Sequence, residues 1–218
     1  MLARVGKCCD PRGCDEFFGD GFARKMAARY RKRGLDRTSR RMVAFLDAEG
    51  LAGRTVMEIG GGVGEIQIEL LKHGAERSVN LELVAAYDGE ARRLLTEEGL
   101  QDRAERRLHD IAVDPEGVEP ADVVVLHRVV CCYPEYERLL GAAADRTRRL
   151  LVFSHPPRNV VSRALFKVQN LFFRVRGSEF RTFAHPPAAM LAVLEARGLQ
   201  PQFAHRGLVW QVAGLERR

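Results

Sequence analysis

No apolar run in this chain of 218 residues is long enough to cross a bilayer. The opening MLARVGKCC lacks the apolar middle of a secretory signal, so the cytoplasm is the expected compartment. Internal repeats, low-complexity tracts and an interdomain linker are missing, which excludes a solenoid and leaves a single structural domain as the expectation. Cysteine is scarce, at five residues. Cys8, Cys9 and Cys14 cluster in the run CCDPRGC, but that run lacks the second pair of ligands that a structural zinc site needs. Cys131 and Cys132 stand far along the chain, and a reducing compartment keeps all five as thiols. No metal site is expected; capture of a thiophilic metal or metalloid would require the N-terminal segment to fold over Cys131 or Cys132.

What is present is ordinary in bulk and specific in places. The chain is long enough for one α/β domain with a real core, and its hydrophobic content of 46% suits a globular protein. The net charge is +6, with dense arginines over residues 24–41 and 146–149 and a further pair at Arg92 and Arg93. There is no RNA-binding motif and no basic strip interleaved with aromatics, so solvated helix faces explain the charge better than a nucleic-acid partner does. Nothing in the sequence specifies an oligomeric state.

The most informative run is VMEIGGGVGEI at residues 56–66. An apolar stretch carrying Glu58 gives way to alternate glycines, Gly60, Gly62 and Gly64, and then to an amphipathic stretch. The pattern reads as strand, tight turn and helix, and in an open α/β sheet such a turn is where a nucleotide-like ligand lies. A dinucleotide fingerprint needs a third glycine where this chain has Glu65, and a carboxylate there would repel a pyrophosphate. Further strand candidates follow in order: residues 78–82, ending at Glu82; 104–108, leading to His109 and Asp110; 121–126, leading into His127; and 149–153, leading to Ser154 and His155. Residues 202–205 and 208–213, joined by Arg206 and Gly207, read as a hairpin.

Helical periodicity fills the intervals. Phe18, Phe22, Met26 and Tyr30 recur every fourth residue within 16–33, predicting one helix that Gly34 ends. Asp36 is placed to cap a second helix that stops at Gly50. In residues 159–176, Val161, Leu165, Val168, Phe172 and Val175 share one face, opposite Arg163, Lys167, Asn170 and Arg174. That pattern predicts a core-packing helix with a solvated basic side; the sharper reading is a substrate lid. Pro186 and Pro187 open another helix, ending at Gly198.

The acid and alternate-glycine turn, the second acid at Glu82 and the order of strands resemble the class I S-adenosylmethionine-dependent methyltransferases over about residues 54–214. Residues 122–136 are also similar to the corresponding stretch of small-molecule methyltransferases, including the magnesium-protoporphyrin type. The resemblance implies a Rossmann-like α/β sheet of parallel strands, with an antiparallel C-terminal hairpin and helices on both faces. Residues 1–50 would form the Cys-containing segment and a small helical cap, and 51–218 the core. In this family such N-terminal helices often close over the cofactor or form part of the substrate pocket.

The resemblance also implies S-adenosyl-L-methionine as cofactor. Glu58 would lie near its cationic groups, Gly60, Gly62 and Gly64 would form the turn beneath it, Glu82 would accept from both ribose hydroxyls, and Asp110 would lie near the adenine. Acceptor chemistry belongs after the fourth strand, where His127 borders the cofactor and, with Tyr133 and His155, forms the catalytic candidate set. Methyl transfer is an in-line displacement from an activated sulfonium, so the protein supplies alignment and exclusion of water, with a general base only where the acceptor is protonated. His127 either serves as that base or hydrogen-bonds within its loop. A small-molecule acceptor is expected because no appended recognition domain is present. The readings kept beside it are a non-catalytic S-adenosylmethionine-binding regulatory or partner subunit and an RNA methyltransferase.

Overall fold

Alternation along the apolar strands sends side chains to both faces of one sheet, so each strand contributes to two cores. In the computed structural model, which describes residues 13–218, Val123 and Val125 enter one core and Val124 and Leu126 the other. The strands are β1 (Thr55–Ile59), β2 (Arg77–Glu82), β3 (Ala104–Leu108), β4 (Ala121–Leu126), β5 (Thr147–His155), β6 (Leu199–Arg206) and β7 (Gln211–Arg217), in the order β3-β2-β1-β4-β5-β7-β6. β1 to β5 are mutually parallel, and β7 runs antiparallel to both β5 and β6. The order reverses at β1 and β4, and the carboxyl ends of those strands open the crevice where α/β sheets bind ligands.

The helices are α1 (Cys14–Phe17), α2 (Asp20–Arg33), α3 (Arg37–Ala48), α4 (Glu65–Lys72), α5 (Asp88–Glu97), α6 (Tyr136–Asp145), α7 (Val160–Val175) and α8 (Pro187–Glu195). Buried residues of α2 to α5 join the core on one face of the sheet; α6 and α8 build the other. The helix expected over 16–33 is broken. Gly19, extended at the start of α2, separates it from the short α1, and Phe18 packs edge-on against Phe22 across the break. The hairpin also differs: its loop spans residues 207–210 rather than Arg206 and Gly207 alone, and β7 begins three residues later than expected. β6 tolerates Pro201 because it is an edge strand with a register irregularity there.

The reading of residues 159–176 as a core helix is overturned. The apolar stripe of α7 is exposed, with Val161 at 76% and Val175 at 78%, whereas Phe173, on the side toward the body, is buried. The helix is held to the body by the Phe173 ring, packed on Phe17 and Phe180, and by polar groups. The Asn170 side chain donates to the Thr182 carbonyl at 2.8 Å and accepts from its N–H at 2.9 Å. Helical period alone identifies a stripe but not which way it faces.

Asp36 does what the sequence predicts of it. Its carboxylate accepts from the Thr38 and Ser39 backbone N–H groups at 2.7 and 3.0 Å, satisfying the first donors of α3. The same carboxylate receives the Arg128 guanidinium, tying α3 to the loop after β4. Asp36→Ala is expected to lower stability by about 1–2 kcal/mol, read as the shift in the urea midpoint at constant m-value.

Candidate functional site

The turn at residues 60–64 is held from both sides at one residue, Gly62. The Glu82 carboxylate, at the end of β2, accepts from Gly62 N–H at 2.8 Å, and Arg106 of β3 donates to the Gly62 carbonyl at 2.9 Å. Glu82 uses its other oxygen for Leu83 and Val84 N–H, at 2.8 and 3.1 Å. Burial raises its pKa, and these three N–H donors pull the other way. Glu82 is thus 7% exposed and organises backbone, which a solvated strand-end acid would not do. Gly60, Gly62 and Gly64 all have positive φ, the left-handed region open to glycine at no steric cost. Gly61 needs glycine for another reason. A Cβ there would lie 2.3 Å from Asn80 Nδ2 and 2.5 Å from Glu58 Cδ.

Under the turn runs a polar row across three strands, Glu58 opposite Asn80 and Asn80 opposite Arg106. Glu58 is 1% exposed, and its Oε2 accepts Gln67 N–H at 3.1 Å in the first turn of α4. Burial pushes Glu58 up to about 8; the Gln67 N–H and Arg106 pull it down, and Glu65 and Glu82 push it further up. One of the open donors at the start of α4 is therefore taken by a protein carboxyl rather than left for a phosphate. Glu65 begins that helix and pairs with Arg29 of α2 at 3.1 Å, which joins the cap to the turn.

These residues line a cavity of about 370 Å³ at the carboxyl ends of β1, β2 and β4. Glu58, Gly60, Gly62, Glu82, Asp110, His127 and Tyr133 all contribute to its wall. Gly64 lies just behind, as the N-cap of α4. Phe18, Phe22 and Met26 of the N-terminal segment roof the cavity, and Tyr87 packs at 6.3 and 6.5 Å from the rings of Phe18 and Phe22. Asp110 accepts Ala112 N–H at 3.0 Å and the Tyr133 hydroxyl at 3.0 Å, so the loop after β4 is pinned to the end of β3.

His127 is engaged at both ring nitrogens. Nδ1 lies 3.0 Å from Ser154 Oγ and Nε2 lies 3.3 Å from Ser39 Oγ, which in turn donates to Asp36 at 3.2 Å. Ser154 Oγ accepts Arg128 N–H at 2.9 Å, so its own proton is available to His127 Nδ1, and the Nε2 proton then points to Ser39. Burial lowers the His127 pKa to about 3, with Arg128 acting the same way and Asp36 opposing. Arg128 takes a left-handed backbone, φ 60°, and its guanidinium lies 5.0 Å over the Trp210 ring. His155 is not among the cavity-lining residues; it is buried, beside Phe153, with Nδ1 3.0 Å from the Pro156 carbonyl.

Cys14 and Cys132 both line the cavity, and Cys131 Sγ is 3.7 Å from Cys132 Sγ. The hydrogen bond with Cys131 and burial push the Cys132 thiol up, away from thiolate. Cys8 and Cys9 lie outside the described residues. Among the described residues, no three of His, Cys, Asp and Glu are grouped to hold a metal ion. The sequence reading missed Gly61, Asn80, Arg106, Ser39 and Ser154. The three consecutive glycines were a signal for Gly61; an arginine in the polar strand β3 carried none.

No protein-family model and no curated protein matches this chain. Solved structures do match. Magnesium protoporphyrin IX methyltransferase from Synechocystis with bound S-adenosylhomocysteine superposes with a TM-score of 0.74 at 20% identity, covering 94% of this chain and 98% of that one. An O-methyltransferase family protein from Burkholderia thailandensis gives 0.69 at 21% identity, over 91% of this chain and 59% of that one. A TehB-like S-adenosylmethionine-dependent methyltransferase from Corynebacterium glutamicum gives 0.63 at 16%, over 91% and 99%. The chain therefore has the class I methyltransferase fold, as its strand order already indicates.

The buried, neutral His127 has a consequence for stability. The unfolded chain, with a histidine pKa near about 6.5, takes up a proton as pH falls from there toward 3 that the folded chain refuses. The contribution is complete above the unfolded value and is lost as pH drops through this window. His127→Gln should therefore lose less stability than the parent between pH 7 and pH 5, compared by urea midpoints at both values. Equal losses would mean that the ring is solvated.

Proposed function

We propose that this protein is an S-adenosylmethionine-dependent methyltransferase acting on a small molecule. The observation that carries the reading is the set of strand-end acids on one cavity. Glu58, Glu82 and Asp110 close β1, β2 and β3 around a glycine turn whose backbone is already fixed. Acids in these places suit a ligand with cationic groups and ribose hydroxyls, and Glu58 on the α4 N-terminus disfavours a pyrophosphate. A Cβ at Gly60 would lie 2.5 Å from Val129 Cγ2, so the turn can pack against the loop after β4 only as glycine. The residues present thus fit the cofactor.

When bound, that cofactor supplies an activated methyl group. The chain's own residues bind, orient and exclude water. Glu82 offers its remaining acceptor capacity to ribose hydroxyls, and Asp110 borders the adenine side. Phe18, Phe22 and Met26 keep the cavity dry from the cap side. His127 is neutral at pH 7 and held by two hydroxyls, so it aligns the acceptor side rather than taking a proton there. Tyr133, bonded to Asp110, shapes the same wall.

Calorimetric titration is expected to give micromolar binding of S-adenosylmethionine and of its demethylated product, with little binding of NAD. Tighter binding of NAD would overturn the assignment. Glu82→Gln should weaken the cofactor by about 1–3 kcal/mol, because one oxygen cannot serve both backbone and ribose.

Glu58 gives an independent readout. Its carboxyl carries a proton at pH 7 in the ligand-free protein, and a cation beside it favours the ionised form. Binding of the cofactor at pH 7 should therefore release a proton, measured by titration in two buffers of different ionisation enthalpy. Glu58→Gln should abolish the release. Identical heats in both buffers for the parent protein would place the cationic end of the ligand elsewhere.

A further inference from the structure

The least expected surface of the molecule is α7. Its body-facing side carries Phe173, packed on Phe17 and Phe180, the half-buried Phe166, and Asn170 bonded to Thr182, while a second apolar stripe faces water. Leu165 is 60% exposed, Val168 67% and Phe172 50%. A globular helix normally turns a polar side to water. Isolated exposed apolar residues need no explanation, but a continuous stripe along a whole helix marks an interaction site.

Two further features sit with the stripe. Leu208 and Val209, in the loop between β6 and β7, are 97% and 69% exposed. Because His155 pairs with Gln211, that loop lies beside the end of β5, where the chain turns into α7. The charge around the stripe is all of one sign. Arg158, Arg163, Lys167, Arg174 and Arg176 are exposed, and no Asp or Glu occurs from residue 158 to residue 178.

We propose that α7 and the tip of the β6–β7 hairpin dock on an anionic bilayer surface. The stripe enters the headgroup boundary while the flanking arginines and lysine meet lipid phosphates, the arrangement of interfacial amphipathic helices. No helix of the described residues is long and apolar enough to span a membrane, so attachment is to one leaflet. A second copy of the chain fits this face less well, because a two-fold contact would bring two like-charged sets together without a counter-charge. Docking here would also hold the cavity mouth near the bilayer. Trp210 of the hairpin loop packs against Arg128 and His127, and Phe173 of α7 packs against Phe17 of the cap at 5.4 Å.

The test is sedimentation of the full chain with vesicles of phosphatidylcholine containing about 30% phosphatidylglycerol, against vesicles of phosphatidylcholine alone. Binding should be about tenfold or more stronger to the anionic vesicles and should fall sharply at about 0.5 M salt. Leu165→Glu with Phe172→Glu should abolish it without changing the thermal midpoint. Should that pair compromise folding, Lys167→Glu with Arg174→Glu keeps the apolar stripe and should still weaken anionic binding about tenfold. Absence of binding to anionic vesicles would overturn the proposal, as would binding that these substitutions leave unchanged. A dimer that the same substitutions dissociate, seen by light scattering, would assign the face to a second copy and equally overturn it.

Discussion

Everything at the cavity depends on Gly62 being held through both its N–H and its carbonyl. Its N–H goes to Glu82 and its carbonyl to Arg106, and these two residues end or line neighbouring strands. A run of glycines is otherwise the most mobile backbone a chain can contain, so the turn owes its shape to groups outside itself. The arrangement also explains how acids can be buried here: Glu82 is met by backbone N–H groups and Glu65 by a guanidinium, without which a buried ion would be strongly disfavoured, while Glu58 is pushed toward its neutral form. The cap extends the same logic, because Arg29 reaches Glu65 and Arg128 reaches Asp36. The roof is thus tied electrostatically to the turn it covers.

Much of this was legible in the residues. β3 and β4 begin and end where apolar and turn signals place them, and Asp36 caps α3 as its position before an amphipathic run requires. Glu58 and Glu82 were visible because each closes an apolar run, and strand ends are where a parallel sheet presents side chains to a ligand; Asp110 follows the polar strand β3 and was visible only through the order of strands. The second-layer groups were not visible. Asn80, Arg106 and Ser154 act through register between strands distant in sequence, and no local pattern encodes register. His155 shows the same limit in reverse. It stands at a strand end as His127 does, yet its ring is buried away from the cavity wall.

α7 marks a different limit. Its periodicity is strong and its helix is real, but a hydrophobic stripe predicts burial only when something is there to bury it. In this fold the helix is carried on the connection between β5 and α8, and Phe173 and Asn170, off the stripe, make the contacts to the body. The cap and this helix meet at Phe17, Phe173 and Phe180, with the Phe17 and Phe180 rings stacked at 4.7 Å. Two surface elements that the sequence treats as separate therefore form one rim beside the cavity.

A crystal structure of the protein with S-adenosylhomocysteine tests the central claim most directly. The account predicts ribose hydroxyls on the Glu82 carboxylate, the amino group of the methionine part near Glu58, and the sulfur facing residues 127–133. A ligand bound elsewhere on the molecule, or one whose ribose is turned away from Glu82, would contradict it.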